Sequence, residues 1–279
     1  LVFLPLVFAI NVAWDLQDLD PLPRLILDSV VVFLAFCATS GAIYLLNDVM
    51  DREADRLHPV KRDRPIASGR LKVPVALGVM AVLGALGLAA MAVVDPVLGG
   101  LGLLYLVINV AYSLGVKRIV LLDVFSVASG YVIRATAGAV AIDVTPSPWL
   151  YAATASGALF IVLGRRYAEV RLAGEGSMDQ RSVLTKYAGA FIGQLLTISA
   201  TAAWLSYTLY TVEADNLPAN NTMLLTLPLV TFGLFRYLYL LNTSPRAEAP
   251  EYLVARDLPL VLSILGWVGV SAIVLLSNG

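Results

Sequence analysis

The sequence predicts an all-α, polytopic membrane protein, a bundle of nine transmembrane helices. Three observations carry that expectation. Of the 279 residues, 59% are hydrophobic and 14% charged, whereas a soluble domain carries about 25% charged residues. The mean hydropathy is +0.81. The apolar residues fall in repeated runs of about 20, the length a helix needs to cross a hydrocarbon layer of about 30 Å. A β-barrel would show alternating segments of about 10 residues, but Val73 to Val94 is continuously apolar.

Nine apolar segments can be drawn, at 1–13, 25–46, 73–94, 97–116, 119–142, 147–164, 188–212, 222–241 and 257–276. The first is short and lacks a basic leader and a cleavage site, so it reads as part of a helix rather than a signal peptide. Asp95-Pro96 and Thr145-Pro146-Ser147-Pro148 are turn signals for tight antiparallel connections. The lone cysteine, Cys37, lies inside an apolar run, where a packing role is expected. The whole chain reads as a single membrane domain over 1–279.

Nine spans would put alternate loops on opposite sides, and the basic residues sort accordingly. All but three of the 19 Lys and Arg fall in loops of one side, with Arg24 opposite and Arg134 and Arg236 inside apolar runs. The positive-inside rule makes the loaded side cytoplasmic and the protein an inner (plasma) membrane protein. A net charge of −1 identifies no soluble partner, and nothing suggests nucleic acid. Oligomeric state is left open.

Topology alone would explain the sign of those loops. It does not explain Asp48, Asp51 and Asp55 at the end of the second apolar run. If the helix continues past that run, Tyr44, Asp48, Asp51 and Asp55 follow each other by four, three and four residues and share one face, with Asn47 beside them. Carboxylates so spaced repel unless a positive charge sits among them. Magnesium suits such hard oxygen ligands and binds through one or two carboxylates plus substrate phosphates. The stripe should end at His58, which precedes Pro59. Lys61, Arg62, Arg64 and Arg70 follow at once, and guanidinium groups grip phosphate oxygens through two donors. Carboxylates for a metal beside cations for phosphate make a diphosphate site. A solvated helix end with charge pairs is the bland alternative.

Two other loops share this side. One carries Lys117 and Arg118; the other carries Arg165, Arg166, Glu169, Arg171, Glu175, Asp179, Arg181, Lys186 and Tyr187. Arg165 and Glu169 sit four apart and would pair on a helix surface. Asp123 and Arg134 share a face of the fifth segment but stand about 16 Å apart along a straight helix, too far to pair. Charges at membrane depth usually face a bundle interior or a wet cavity. Arg236 is expected to snorkel to the interface, and His58 has no partner for a zinc site.

Asn47-Asp48-x-x-Asp51-x-x-x-Asp55 resembles the first acidic motif of the UbiA superfamily of intramembrane prenyltransferases. Within it, the chain is most similar to the decaprenyl-phosphate phosphoribosyltransferase branch. The blocks that carry this are Tyr44 to Asp48 through Arg64 to Gly69; Tyr112-Ser113-Leu114 with Lys117-Arg118 and Leu121 to Val124; Arg165 to Glu169; and Gly233 to Tyr239. Aromatic prenyltransferases of the superfamily carry a second aspartate motif after the sixth helix; here that place reads Arg165-Arg166-x-x-Glu169. The resemblance implies nine helices, magnesium, and active-site loops at 47–72, 113–119 and 164–187. It also implies transfer of 5-phosphoribosyl from phosphoribosyl diphosphate to a polyprenyl phosphate for cell-wall arabinan precursors. Asp51, Asp55, Lys61 and Arg64 would serve catalysis. Asn47 and Asp48 would join Asp51 and Asp55 at the metal. Tyr44, Asn47, Asp48, Arg62, Lys117, Arg118, Arg134, Arg165, Arg166, Glu169 and Lys186 would bind substrate. An aromatic prenyltransferase of quinone or heme synthesis is the first alternative. A membrane transporter is the non-enzymatic one.

Overall fold

In the computed structural model the described residues are 1–59, 61–173, 187, 189–214, 217, 220–244, 247 and 249–277. They form helices α1 (Leu4–Phe8), α2 (Leu22–Met50), α3 (Arg52–Leu57), α4 (Val73–Val94), α5 (Pro96–Leu114), α6 (Leu122–Ala141), α7 (Pro148–Ala173), α8 (Gly189–Glu213), α9 (Leu227–Thr243), α10 (Pro250–Arg256) and α11 (Leu258–Leu276). Among the described residues there is no strand, only an isolated bridge between Ile10 and Trp14.

Most apolar runs became helices within a few residues of their drawn limits, but α7 continues nine residues past the run 147–164 and the run 1–13 yields only the short α1; proline sets several starts. Pro96 opens α5, where Asp95 Oδ1 caps the Val97 N–H at 2.6 Å. At α11, Pro259 sits in the first turn and Asp257 Oδ1 accepts from Leu260 N at 2.9 Å. Both caps satisfy donors that a helix start otherwise leaves unpaired.

Among the described residues, seven helices are long and apolar enough to cross a membrane. They carry large apolar side chains on their outward faces, among them Leu86, Val93, Leu103, Val107, Leu262 and Ile273. With lipid as the solvent for those faces, the chain is a multi-pass membrane protein. The seven-helix count falls short of the expected nine in two places. The first segment yields the five-residue α1, and α7, although 26 residues long, carries Arg165, Arg166, Glu169 and Arg171 in its final turns.

Small residues let α2 and α4 approach closely. A Cβ at Gly87 would lie 2.8 Å from the Ala35 carbonyl oxygen and would strike the Thr39 hydroxyl, so glycine is required there. Cys37 faces outward and is exposed, a correction to the packing role expected for it; the neighbours that pack inward are Ala35, Phe36 and Thr39.

Candidate active site

The charged contacts gather where α2, α5 and α7 end and where α6 begins. The segment around Asp51 departs slightly from a continuous helix: α2 stops at Met50 and α3 begins at Arg52. The backbone bonds nevertheless continue, with Asp51 N donating to Asn47 O and Asp55 N to Asp51 O, each at 2.8 Å. The carboxylate stripe therefore runs through the junction. It ends at His58, whose extended backbone (ψ 133°) leads into Pro59 as expected.

The chain then folds back over the stripe. Buried Ile66 and Ala67 anchor this return, and Arg56 Nε donates to Ala67 O at 3.1 Å. Gly69, at φ +80°, makes the turn, and Arg70 reaches the Asp63 carbonyl and Ser68 Oγ. The result is to aim Arg64 back at the stripe: Arg64 Nη1 lies 2.8 Å from Asp48 Oδ1 and 2.9 Å from Asp55 Oδ2. The Asp55 side chain is only 5% exposed, so this pairing is the compensation its burial requires.

Lys117, in the single turn Val116–Arg118 after α5, brings its Nζ to 2.9 and 3.0 Å from the two oxygens of Asp51. Beside it, Ser113 Oγ donates to Asn47 Oδ1 at 2.6 Å. The loops at 47–72 and 113–119, separated by an entire helical hairpin, thus form one surface. Lys61 is partly buried, Arg62 and Arg118 are exposed, and these three have no side-chain partner among the described residues. Tyr44 is 71% exposed.

Among the described residues no three His, Cys, Asp or Glu side chains converge as a ready metal-ligand cluster. The donor chemistry still fits magnesium. Asn47, Asp48, Asp51 and Asp55 offer oxygen alone, and two cations, Arg64 and Lys117, face three carboxylates, so the stripe retains negative charge.

From the third charged segment, Arg165, Arg166 and Glu169 were expected to bind substrate, and all three lie in the last turns of α7. Arg166 is buried, with Nε 3.1 Å from Asp123 Oδ2, Nη1 2.6 Å from Glu169 Oε2 and Nη2 3.5 Å from Tyr112 Oη. Tyr187 Oη completes the knot, donating to Asp123 Oδ1 at 2.7 Å and accepting from Leu121 N at 2.8 Å. Burial, reinforced by the bond to Asp123, pushes the Tyr187 hydroxyl up to about 12, so it stays a donor at any ordinary pH. Asp123 thus pairs with Arg166 across helices, closing the ends of α5, α6 and α7 on one another. Arg165 Nε pairs with Glu169 Oε1 at 3.3 Å, the helix-surface pair its spacing allowed. Arg165 itself is half exposed. Lys186, with Glu175, Asp179 and Arg181, lies outside the described residues.

Arg134 and Arg236 sit elsewhere. Arg236 forks onto Asp257 at 3.0 and 2.7 Å, so it has a partner at the start of α11 rather than a free head at the interface. Arg134 donates to Tyr105 Oη at 3.2 Å and lies over the rings of Tyr105 and Tyr131. Sequence reasoning did not single out Tyr105, and it named Ser113 only within a block that carries the resemblance, not as a site residue. Their signal was available: Tyr105, Asn109 and Ser113 recur every four residues on an otherwise apolar helix.

A cavity of about 530 Å³ opens between α1, α6, α7, α9 and α11, walled mainly by apolar side chains such as Phe8, Tyr131, Leu234, Tyr237 and Trp267.

The sequence model described as the UbiA prenyltransferase family matches residues 2–258. A decaprenyl-phosphate phosphoribosyltransferase of Mycobacterium tuberculosis (strain ATCC 25618 / H37Rv) is 37% identical over 85% of this chain and 78% of its own length. The enzyme of that name from Corynebacterium glutamicum is 34% identical over 88% of this chain and 75% of its own. In fold, a UbiA homologue from Archaeoglobus fulgidus bound to DMAPP and Mg2+ superposes with a TM-score of 0.67 at 17% identity, covering 90% of this chain and 88% of that one.

Proposed function

The chain belongs to the UbiA prenyltransferase family, and from that premise we propose that it transfers a 5-phosphoribosyl group from phosphoribosyl diphosphate to decaprenyl phosphate or a similar polyprenyl phosphate, for cell-wall arabinan precursors. The observation that carries this reading is the likeness, at 34–37% identity over most of the chain, to enzymes named decaprenyl-phosphate phosphoribosyltransferase. The reaction breaks the bond between the anomeric carbon and the diphosphate oxygen, which leaves with the electron pair. A bond forms between that carbon and an oxygen of the acceptor phosphate.

The residues divide by chemistry. Asn47, Asp48, Asp51 and Asp55 would hold magnesium, which when bound neutralises the diphosphate leaving group. Lys61, Arg62, Arg64, Lys117 and Arg118 surround the same end and supply positive charge where negative charge grows as the bond breaks. Arg165, half exposed on α7, would contact substrate, while Arg166, held by Asp123 and Glu169, would act by keeping α7 against α5 and α6. The acceptor phosphate is already an anion, so no strong base is needed, and positioning carries the rate. The apolar cavity suits a polyprenyl tail.

In this reading 1–279 is one membrane domain. All long helices cross, with α7 and the opening apolar segment completing nine, and the segments 47–72 and 113–119 with the last turns of α7 face the cytoplasm of a plasma (inner) membrane. Oligomeric state does not enter it.

An assay of diphosphate release tests the proposal. Release from phosphoribosyl diphosphate should require both magnesium and polyprenyl phosphate. Release from a prenyl diphosphate with 4-hydroxybenzoate would instead support an aromatic prenyltransferase, the activity named for a Synechocystis relative 32% identical over 54% of this chain. No release with either pair would leave the transporter.

A further inference from the structure

Arg134 lies in the middle of α6, yet among the described residues no carboxylate pairs with it. Its hydrogen-bond and ring contacts are neutral: the Tyr105 hydroxyl at 3.2 Å, the Tyr105 ring at 5.5 Å and the Tyr131 ring at 4.9 Å. Burying a cation in the hydrocarbon zone costs several kcal/mol unless an anion meets it (about 2.5–3.5 on insertion scales). Its two cation–π contacts can offset a cost of that size, at up to about 2 kcal/mol each, but they neutralise no charge. The other intramembrane arginine, Arg236, has its carboxylate in Asp257. Arg134 is thus a fixed cation whose charge no described carboxylate neutralises.

Its surroundings are built to hold it. Tyr105 Oη also lies 3.0 Å from Ser40 Oγ, tying α2, α5 and α6 together at one level. A side chain at Gly130 would bring a Cβ within 3.2 Å of the Tyr105 ring and 3.6 Å of Arg134 Nη1, so glycine leaves the room this stack occupies.

Two paths meet at this level. Towards the charged end, α5 presents Asn109 and then Ser113, whose hydroxyl reaches Asn47. From Tyr105 to Ser113 that polar seam rises about 12 Å at 1.5 Å per residue. On the other side, the Tyr131 ring that covers Arg134 also lines the apolar cavity. An occupant of both must be apolar along its length and anionic at its head.

We propose that Arg134, framed by Tyr105 and Tyr131, is the subsite for the phosphate monoester head of the polyprenyl phosphate acceptor. The proposal rests on the phosphoribosyl-transfer reading and assigns Arg134 to the acceptor rather than to the ribose 5-phosphate. The lipid enters with its tail in the apolar cavity, and its head meets Arg134 at the foot of the seam that leads to the diphosphate end.

Binding and kinetics on the full chain in nanodiscs test it. A fluorescent polyprenyl phosphate should bind wild-type protein at least tenfold more tightly than the matching polyprenol. In Arg134→Gln that preference should fall to within about twofold, and in Arg134→Lys it should be partly restored. This measurement needs no turnover, so it stands even if the transfer reaction is wrong. In turnover, Arg134→Gln and Arg134→Lys should raise KM for polyprenyl phosphate while KM for phosphoribosyl diphosphate stays within twofold. An undiminished phosphate preference in Arg134→Gln overturns the assignment, as does a raised KM for the donor alone. Should Arg134→Gln fail to fold, Tyr105→Phe, which removes the hydroxyl that positions the guanidinium but keeps the ring, should raise the acceptor KM alone; an unchanged acceptor KM there counts against the subsite.

Discussion

Lys117 Nζ sits 2.9 Å from one oxygen of Asp51 and 3.0 Å from the other, joining the turn after α5 to the junction of α2 and α3. That fork gives Asp51 a fixed place among the stripe's oxygens. Asp51→Ala should therefore reduce turnover by at least about 100-fold, the scale of losing one preorganised electrostatic contact. Added magnesium should not restore it. Steady-state diphosphate release with and without chelator checks this, and wild-type rates in the variant would remove Asp51 from the metal set.

Arg64 bridges Asp48 and Asp55, and its loss leaves a buried carboxylate unpaired. Arg64→Ala should lower both kcat and stability, the latter by about 1–3 kcal/mol. That figure is below the full cost of breaking a buried pair because the arginine side chain is itself 42% exposed. Thermal unfolding in detergent provides the measurement, and Arg64→Lys should recover part of the stability by keeping one charge.

The Asp123–Arg166 pair is far less accessible, at 0% and 5% side-chain exposure. Removing one partner should cost about 3–5 kcal/mol, whereas Asp123→Asn with Arg166→Met should lose less than the two single changes added together. A double-mutant cycle on unfolding free energy reads the coupling. Additive losses would mean the pair is not an interacting unit.

Arg236 donates two hydrogen bonds to Asp257 and so holds its carboxyl below the ordinary carboxylate range. A depressed folded-state value contributes stability above the unfolded value of about 3.9, and that contribution is lost as pH falls through the folded one. Asp257→Asn should thus be less stable than wild type at pH 7, with the difference shrinking below about pH 4. Melting curves at pH 7, 5 and 3 decide it, and a difference independent of pH would place the effect in the helix cap alone.

Local signals were legible in the sequence. Hydropathy runs located the long helices, and Asp95-Pro96, read as a turn signal, is where the structure starts α5. The spacing of Asp48, Asp51 and Asp55 survived the break at Asp51 because the backbone bonds continue across it. What could not be read were partners brought together from different helices. Asp51 with Lys117 and Asp123 with Arg166 are separated by 66 and 43 residues, and periodicity carries no information about which helix ends meet. The contact of Arg166 with Asp123 was out of reach for that reason, whereas Glu169, three residues on, lay within helical spacing.

Mass analysis of the lipid product tests the central claim most directly. With phosphoribosyl diphosphate, polyprenyl phosphate and magnesium, the account predicts a lipid heavier than the acceptor by one phosphoribosyl group, formed in a one-to-one ratio with diphosphate. An unmodified lipid under these conditions, with a prenylated aromatic product from prenyl diphosphate and 4-hydroxybenzoate, would contradict it.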